Sequence, residues 1–171
     1  MPALWAVLAL AVACDRSGSG AERGDAPRLV DRKELESVLV ATQRRSSPDL
    51  PVGPASCPAG VPATEAATLE CTVSVDGVLV PYAVTVRQTD QPGGLRYDVR
   101  PAKAILQVSK VVEAIQRSAS SPTSTVECGP ERVRVVDVGG TFDCSLREGQ
   151  NTRTVRVRVE TVEGNVSFKE T

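Results

Sequence analysis

The chain has 171 residues, room for one ordinary domain or two very small ones. Apolar residues make up 41% of it but aromatics only 3%, so any core is mainly Val, Leu, Ile and Ala, and units that bury so little area need covalent staples. The formal net charge is −1 and neither half is far from neutral, which excludes bulk charge as a driver of binding to nucleic acid or to an anionic surface.

The chain opens on Ala3 to Ala13, an unbroken apolar run that ends in Leu10-Ala11-Val12-Ala13-Cys14. The run is about half of the roughly 20 residues a membrane span needs, so it reads as the apolar region of a secretory signal. Small residues before a cysteine resemble the bacterial lipobox, whose cysteine is acylated and becomes the new N-terminus. Here Ala11 stands where that pattern favours Leu, and no Lys or Arg precedes the run. The resemblance implies a signal peptide over 1–14 and an acyl chain such as palmitate on Cys14. It also implies export to the periplasmic or extracellular side of the cell membrane or outer envelope, with the membrane a partner through the lipid. The alternative is an ordinary signal cut after Ala13, which leaves Cys14 a free thiol. Residues 15–28, rich in Gly, Ser and charge, are expected to form a flexible tether of roughly 20 Å r.m.s. span.

From there the chain repeats itself. Leu35 to Arg44 matches Val108 to Arg117 without a gap. Each stretch is followed by a breaker-rich linker (Ser46-Ser47-Pro48; Ser118-Ala119-Ser120-Ser121-Pro122), a cysteine (Cys57; Cys128), and a second cysteine in a strand context (Thr68-Leu69-Glu70-Cys71; Thr141-Phe142-Asp143-Cys144). A tight turn, a valine-alternating strand and a glycine turn into a last strand complete each copy. The expected organisation is therefore repeat 1 over 29–100 and repeat 2 over 101–171. The expected fold class is α+β, each copy one helix on a small antiparallel sheet, α-β-β-β. A fourth strand is a candidate before the second cysteine, Arg132 to Val138 in copy two.

The first helix is predicted to start at Asp31, with Glu34 completing a D-x-x-E capping pattern and Val30 and Leu35 placed as a hydrophobic staple. Its apolar stripe is Leu35, Val38, Leu39 and Thr42. The second is predicted to start at Pro101, with Ile105, Val108, Val111, Val112 and Ile115 as a fuller stripe. Among the strands, Leu69, Cys71, Val73 and Val75 alternate with Glu70, Thr72 and Ser74. Val155, Val157 and Val159 alternate with Thr154, Arg156, Arg158 and Glu160. Such alternation predicts sheets with one wet face.

Five cysteines is an odd number. If Cys14 carries lipid, Cys57, Cys71, Cys128 and Cys144 remain as an even set suited to an oxidising compartment. Their spacing lacks the close C-x2-4-C knuckles of structural zinc sites and the chain has no histidine, so disulfides are expected and a metal is not. Four cysteines allow three pairings. A unit that was duplicated after it folded keeps its bond within each copy, Cys57–Cys71 and Cys128–Cys144, fastening the post-helix loop to the sheet.

The succession of helix, cysteine, Gly140-Thr141-Phe142-Asp143-Cys144, tight turn and valine-rich strand resembles a domain of unknown function common in actinobacterial lipoproteins. The first copy keeps Thr68 and Cys71 but has Ala67 and Leu69 in place of the Gly and Phe. The resemblance implies an envelope location and paired cysteines, and no activity. The tandem layout also looks like that of the secreted β-lactamase inhibitory proteins, which suggests an enzyme inhibitor as the alternative function.

Chemistry is sparse. Without histidine there is no Ser-His-Asp or Cys-His activation. Ser109 and Lys110 are adjacent on a predicted helix and do not face each other. Asp137 and Asp143 could do acid–base work only if the fold brought them together. Gly93-Gly94 and Gly139-Gly140 follow no phosphate-binding spacing, so no cofactor is expected. Arg132, Arg134, Arg156 and Arg158 are the candidate anion-binding face, should they share one wet surface. The seven acidic residues from Glu131 onward equal the seven basic ones there, which makes cross-strand ion pairing the competing account. The expectation is a non-enzymatic, lipid-anchored envelope module. It would bind an envelope protein or an anionic envelope polymer through its sheet faces or the groove between the copies.

Overall fold

The computed structural model describes residues 28–119, 121 and 123–171. The signal peptide, Cys14 and nearly all of the expected tether lie outside the described residues, as do Ser120 and Pro122 of the second linker. Helix α1, Arg32–Ser46, starts where the sequence places it. The Asp31 carboxylate accepts from the N–H groups of Lys33 at 2.9 Å and Glu34 at 3.2 Å, satisfying two of the first turn's orphan donors. Val30 and Leu35 both join the core beneath it. The stripe is narrower than expected: Leu35, Leu39 and Gln43 are buried along one ridge, while Val38 and Thr42 lie half-buried at its side.

Strands β1 (Val52–Ser56), β2 (Thr68–Val75), β3 (Val78–Gln88) and β4 (Leu95–Pro101) form a first sheet in chain order. Asp76 and Gly77, at φ 50° and 81°, close β2 onto β3, the pair of positive values that a two-residue type I′ hairpin requires. After β5 (Ala104–Gln107) and helix α2 (Val108–Ser118) come β6 (Thr125–Glu127), β7 (Val133–Val136), β8 (Thr141–Glu148), β9 (Asn151–Val159) and β10 (Val166–Glu170). The second sheet runs β10-β9-β8-β6, and β5 and β7 form a separate two-stranded ribbon. Every strand pairing is antiparallel. The fold is thus a mixture of two helices and mostly antiparallel sheet, with each valine-alternating strand dry on the predicted side.

Registers in the two sheets coincide when counted from the second cysteine of each pair. Glu70 faces Ala83, which faces Arg100; Asp143 faces Arg156, which faces Lys169. The disulfides are Cys57–Cys71 and Cys128–Cys144, with Cα separations of 4.4 and 4.2 Å. Their position corrects the expectation. Ser56 is paired with Thr72, and Glu127 with Ser145, so each first cysteine lies one step past an edge strand and directly opposite its partner. Each bond therefore staples edge strand β1 or β6 to its neighbour rather than a loop to the sheet. Gly53 and Pro54 make β1 read as linker, yet an edge strand tolerates a proline.

Helix α2 and the fourth strand also need correction. Pro101 ends β4 and Ile105 lies on β5; the helix begins only at Val108, with no side-chain cap from Gln107. The segment Arg132 to Val138 does contain a strand, but β7 pairs with β5 and not with the sheet. The sheet's fourth strand is β6, ahead of Cys128. Ala104–Gln107 is too short for its period to be read, and it is covered on both faces. Ile105, Val133 and Val135 pack with the first core, around Leu35, Leu39 and Val84. Ala104, Leu106 and Val136 pack with the second, around Val111, Ile115 and Val157.

Candidate functional site

A cleft opens where the end of α1, β3, β4 and the ribbon meet the β9–β10 turn. It encloses about 360 Å³ between Gln43, Ser47 and Tyr82 on one side and Ile105, Val162 and Glu163 on the other. A neighbouring hollow of about 370 Å³ shares Ser46, Ser47, Ile105 and Glu163 and reaches Lys110 on α2.

The wall of this cleft holds a buried polar chain. The Tyr82 hydroxyl donates to Gln43 Oε1, and Gln43 Nε2 donates to Ser47 Oγ at 3.0 Å. Gln43 is 1% exposed and Tyr82 3%. Burial pushes the Tyr82 phenol up to about 12, so at neutral pH it is a fixed hydrogen-bond donor. Its position follows from the alternation of β3, where Val80, Tyr82, Val84 and Val86 all face inward. At the matching register of the second sheet stands Val155, opposite Cys144 as Tyr82 is opposite Cys71. The architecture thus accepts an aliphatic side chain there, and the polar chain is peculiar to the side that borders the cleft. The sequence held a signal for it: a tyrosine in an inward-facing stripe needs a partner for its hydroxyl. Gln43, two turns beyond Leu35, continues the same helical ridge.

The four candidate arginines are not brought together. Arg156 and Arg158 project from the wet face of β9. Arg132 lies before β7 and pairs with Asp76 at 3.2 Å. Arg134, on β7, donates to Glu131 and to the Cys128 carbonyl (2.8 Å) and lies over the Phe142 ring, 4.3 Å from its centroid. It fastens the ribbon to the second disulfide, and burial holds its pKa below the ordinary arginine value. Arg156 engages both oxygens of Asp143, at 2.9 and 3.0 Å, which holds that carboxyl below its usual pKa. Arg158 lies 3.8 Å from Glu160.

Sequence reasoning missed Lys169. It stands directly opposite Arg156 across β9 and β10, and with Arg156, Arg158 and Ser167 it lines an open concavity of about 470 Å³ on the wet face. Asp137 and Asp143 are held by different cations, Lys103 and Arg156. Ser109 and Lys110 lie at the exposed start of α2. Among the described residues no helix is long and apolar enough to cross a membrane. No protein-family model matches the chain, nor does any curated protein or solved structure.

Proposed function

We propose that the chain is an exported, lipid-anchored envelope protein, a tandem of two like units that acts without catalysis by holding a partner in the cleft between them. One observation carries the binding reading: the Tyr82–Gln43–Ser47 chain in the cleft wall. A buried amide and phenol contribute little net stability even when satisfied, and the matching register of the second sheet holds Val155 instead. This chain fixes the wall behind an apolar floor of Val99, Pro101 and Ile105, and the exposed Ser46 and Glu163 at the rim are the polar groups that would orient a bound group. The disulfides fit an oxidising compartment, and matching registers around each disulfide support duplication. The resemblance to the cysteine-paired domain of envelope lipoproteins points the same way.

The test is capture from envelope extract by the native protein and by Thr42→Trp, which fills the cleft from the half-buried side of α1. We expect a species retained by the native protein and lost with the tryptophan. If that species is an enzyme whose activity falls on capture, the module is an inhibitor. If both proteins retain the same species, the cleft is not the site.

A further inference from the structure

We infer that the wet face of β9 and β10 is a binding site for a phosphodiester-linked polyanion, gripped by Lys169, Arg156 and Arg158. It lies apart from the cleft, and the two readings fail separately.

The first ground is an electrostatic conflict in the fold. Lys169 and Arg156 are directly opposed across the β9–β10 ladder, and like charges so placed destabilise a sheet. Among the described residues Lys169 has no carboxylate partner. Arg158, two residues along β9, adds a third cation on the same face, opposite Ser167 and Thr141. The first sheet also opposes two cations, Arg87 and Arg96, but there Asp98 pairs with both, at 3.3 and 3.1 Å. At the registers of Arg156, Arg158 and Ser167 it carries Ala83, Thr85 and Asp98. Neither the strand pairing nor the register demands this cluster.

The second ground is that the guanidinium of Arg156 is oriented in advance. Both oxygens of Asp143 accept from it, so little side-chain freedom is lost when a ligand arrives. Of the hydroxyls around the cations, Ser167 donates to Glu160 and Thr171 to the Thr154 carbonyl, which leaves Thr141 to donate to a phosphoryl oxygen.

Shape and charge pattern choose the occupant. The concavity is open, so it suits a chain lying across the strands better than an enclosed small molecule. Cations recur roughly 7 Å apart along β9, two residues at the strand rise. Asp143 and Glu160 flank them, so a flat anionic bilayer would meet acids as well as bases, whereas a single chain can follow the line Lys169–Arg156–Arg158. The one apolar lining residue, Phe168, packs on the second core and is not free to insert into lipid.

The experiment uses the full chain in neutral-headgroup detergent, over a sensor carrying a ten-unit glycerol-phosphate oligomer. Binding should weaken steeply with salt, and Lys169→Gln and Arg158→Gln should each weaken it about threefold or more and flatten the salt slope by about one charge. Lys169→Arg should bind as the native protein does, and Arg100→Gln, at the matching register of the first sheet, should change nothing. Lys169→Gln should also melt no lower than native, because it removes the opposed pair. Absence of binding, or equal binding by the glutamine variants, overturns the site. Equal affinity for polyglutamate overturns the phosphodiester assignment. Binding only to vesicles of anionic phospholipid overturns the polymer in favour of a membrane surface.

Discussion

Replacing Tyr82 by Phe removes one oxygen and leaves the ring packed. Its hydroxyl satisfies Gln43 Oε1, and Gln43 is 1% exposed, so the variant strands a buried acceptor. Such a loss costs about 1–3 kcal/mol. At roughly 2–4 °C per kcal/mol for a chain of this length, the thermal midpoint should fall by several degrees. Replacing both partners by apolar groups is close to neutral in principle, so Tyr82→Phe with Gln43→Met should recover most of the loss in a double-mutant cycle. A second signature is the pH dependence. The phenol has its pKa raised to about 12 in the folded state, by burial, against about 10 in the unfolded chain. Its contribution is fully present below pH 10 and is lost as pH rises from 10 towards 12. The unfolding free energy of the native protein from urea titrations should therefore fall through that window by about 2–3 kcal/mol more than that of Tyr82→Phe. The reasoning is refuted if Tyr82→Phe is as stable as the native protein, or if the double variant is less stable than either single one.

Two further outcomes test the architecture. Cys57→Ser with Cys71→Ser should cost about 3 kcal/mol by the chain-entropy estimate, and amide exchange should accelerate first in β1, the edge strand the bond staples, with α1 following; simultaneous loss in α1 would return the bond to the helix–sheet contact. Val133→Ala, in a residue 2% exposed on β7, should cost about 2 kcal/mol and should loosen β3 together with β7, since Val133 packs in the first core. If protection falls only beyond residue 125, the ribbon belongs to the second core alone.

Much of the frame was legible because local chemistry and pattern agree there. Asp31 caps a helix, Asp76-Gly77 forces a hairpin, and the two alternating runs assign dry faces that the sheets use. The cysteine pairing followed from self-similarity. What stayed hidden depends on partners distant in sequence. Ala104–Gln107 continues the apolar pattern of the helix after it, and only its pairing with β7 makes it a strand. Arg132 and Arg134 share a short segment with alternating valines, as Arg156 and Arg158 do, but β7 joins a different ladder. Lys169 escaped notice because its significance is the cation facing it, and cross-strand register cannot be read from one strand.

The ribbon explains why two such small aliphatic cores coexist in one chain. A core built with so few aromatics gains most by covering both faces of any strand it can reach. The β5–β7 pair is covered that way, Ile105 and Val135 on one side, Ala104 and Val136 on the other. A strand covered on both faces loses the clean apolar–polar alternation, as Ala104-Ile105-Leu106 does; Val133–Val136 keeps one charge, Arg134, whose guanidinium reaches out to Glu131 and the Cys128 carbonyl. The same sharing shapes the cleft. Ile105 lines it from the ribbon, Gln43 and Tyr82 from the first core, and Val162 and Glu163 from the β9–β10 turn. Its walls therefore belong to both halves, and their spacing is set by a strand pair that neither half can shift without exposing valine. If the cleft holds a partner as proposed, a substitution that loosens the ribbon should weaken that binding before it unfolds either sheet.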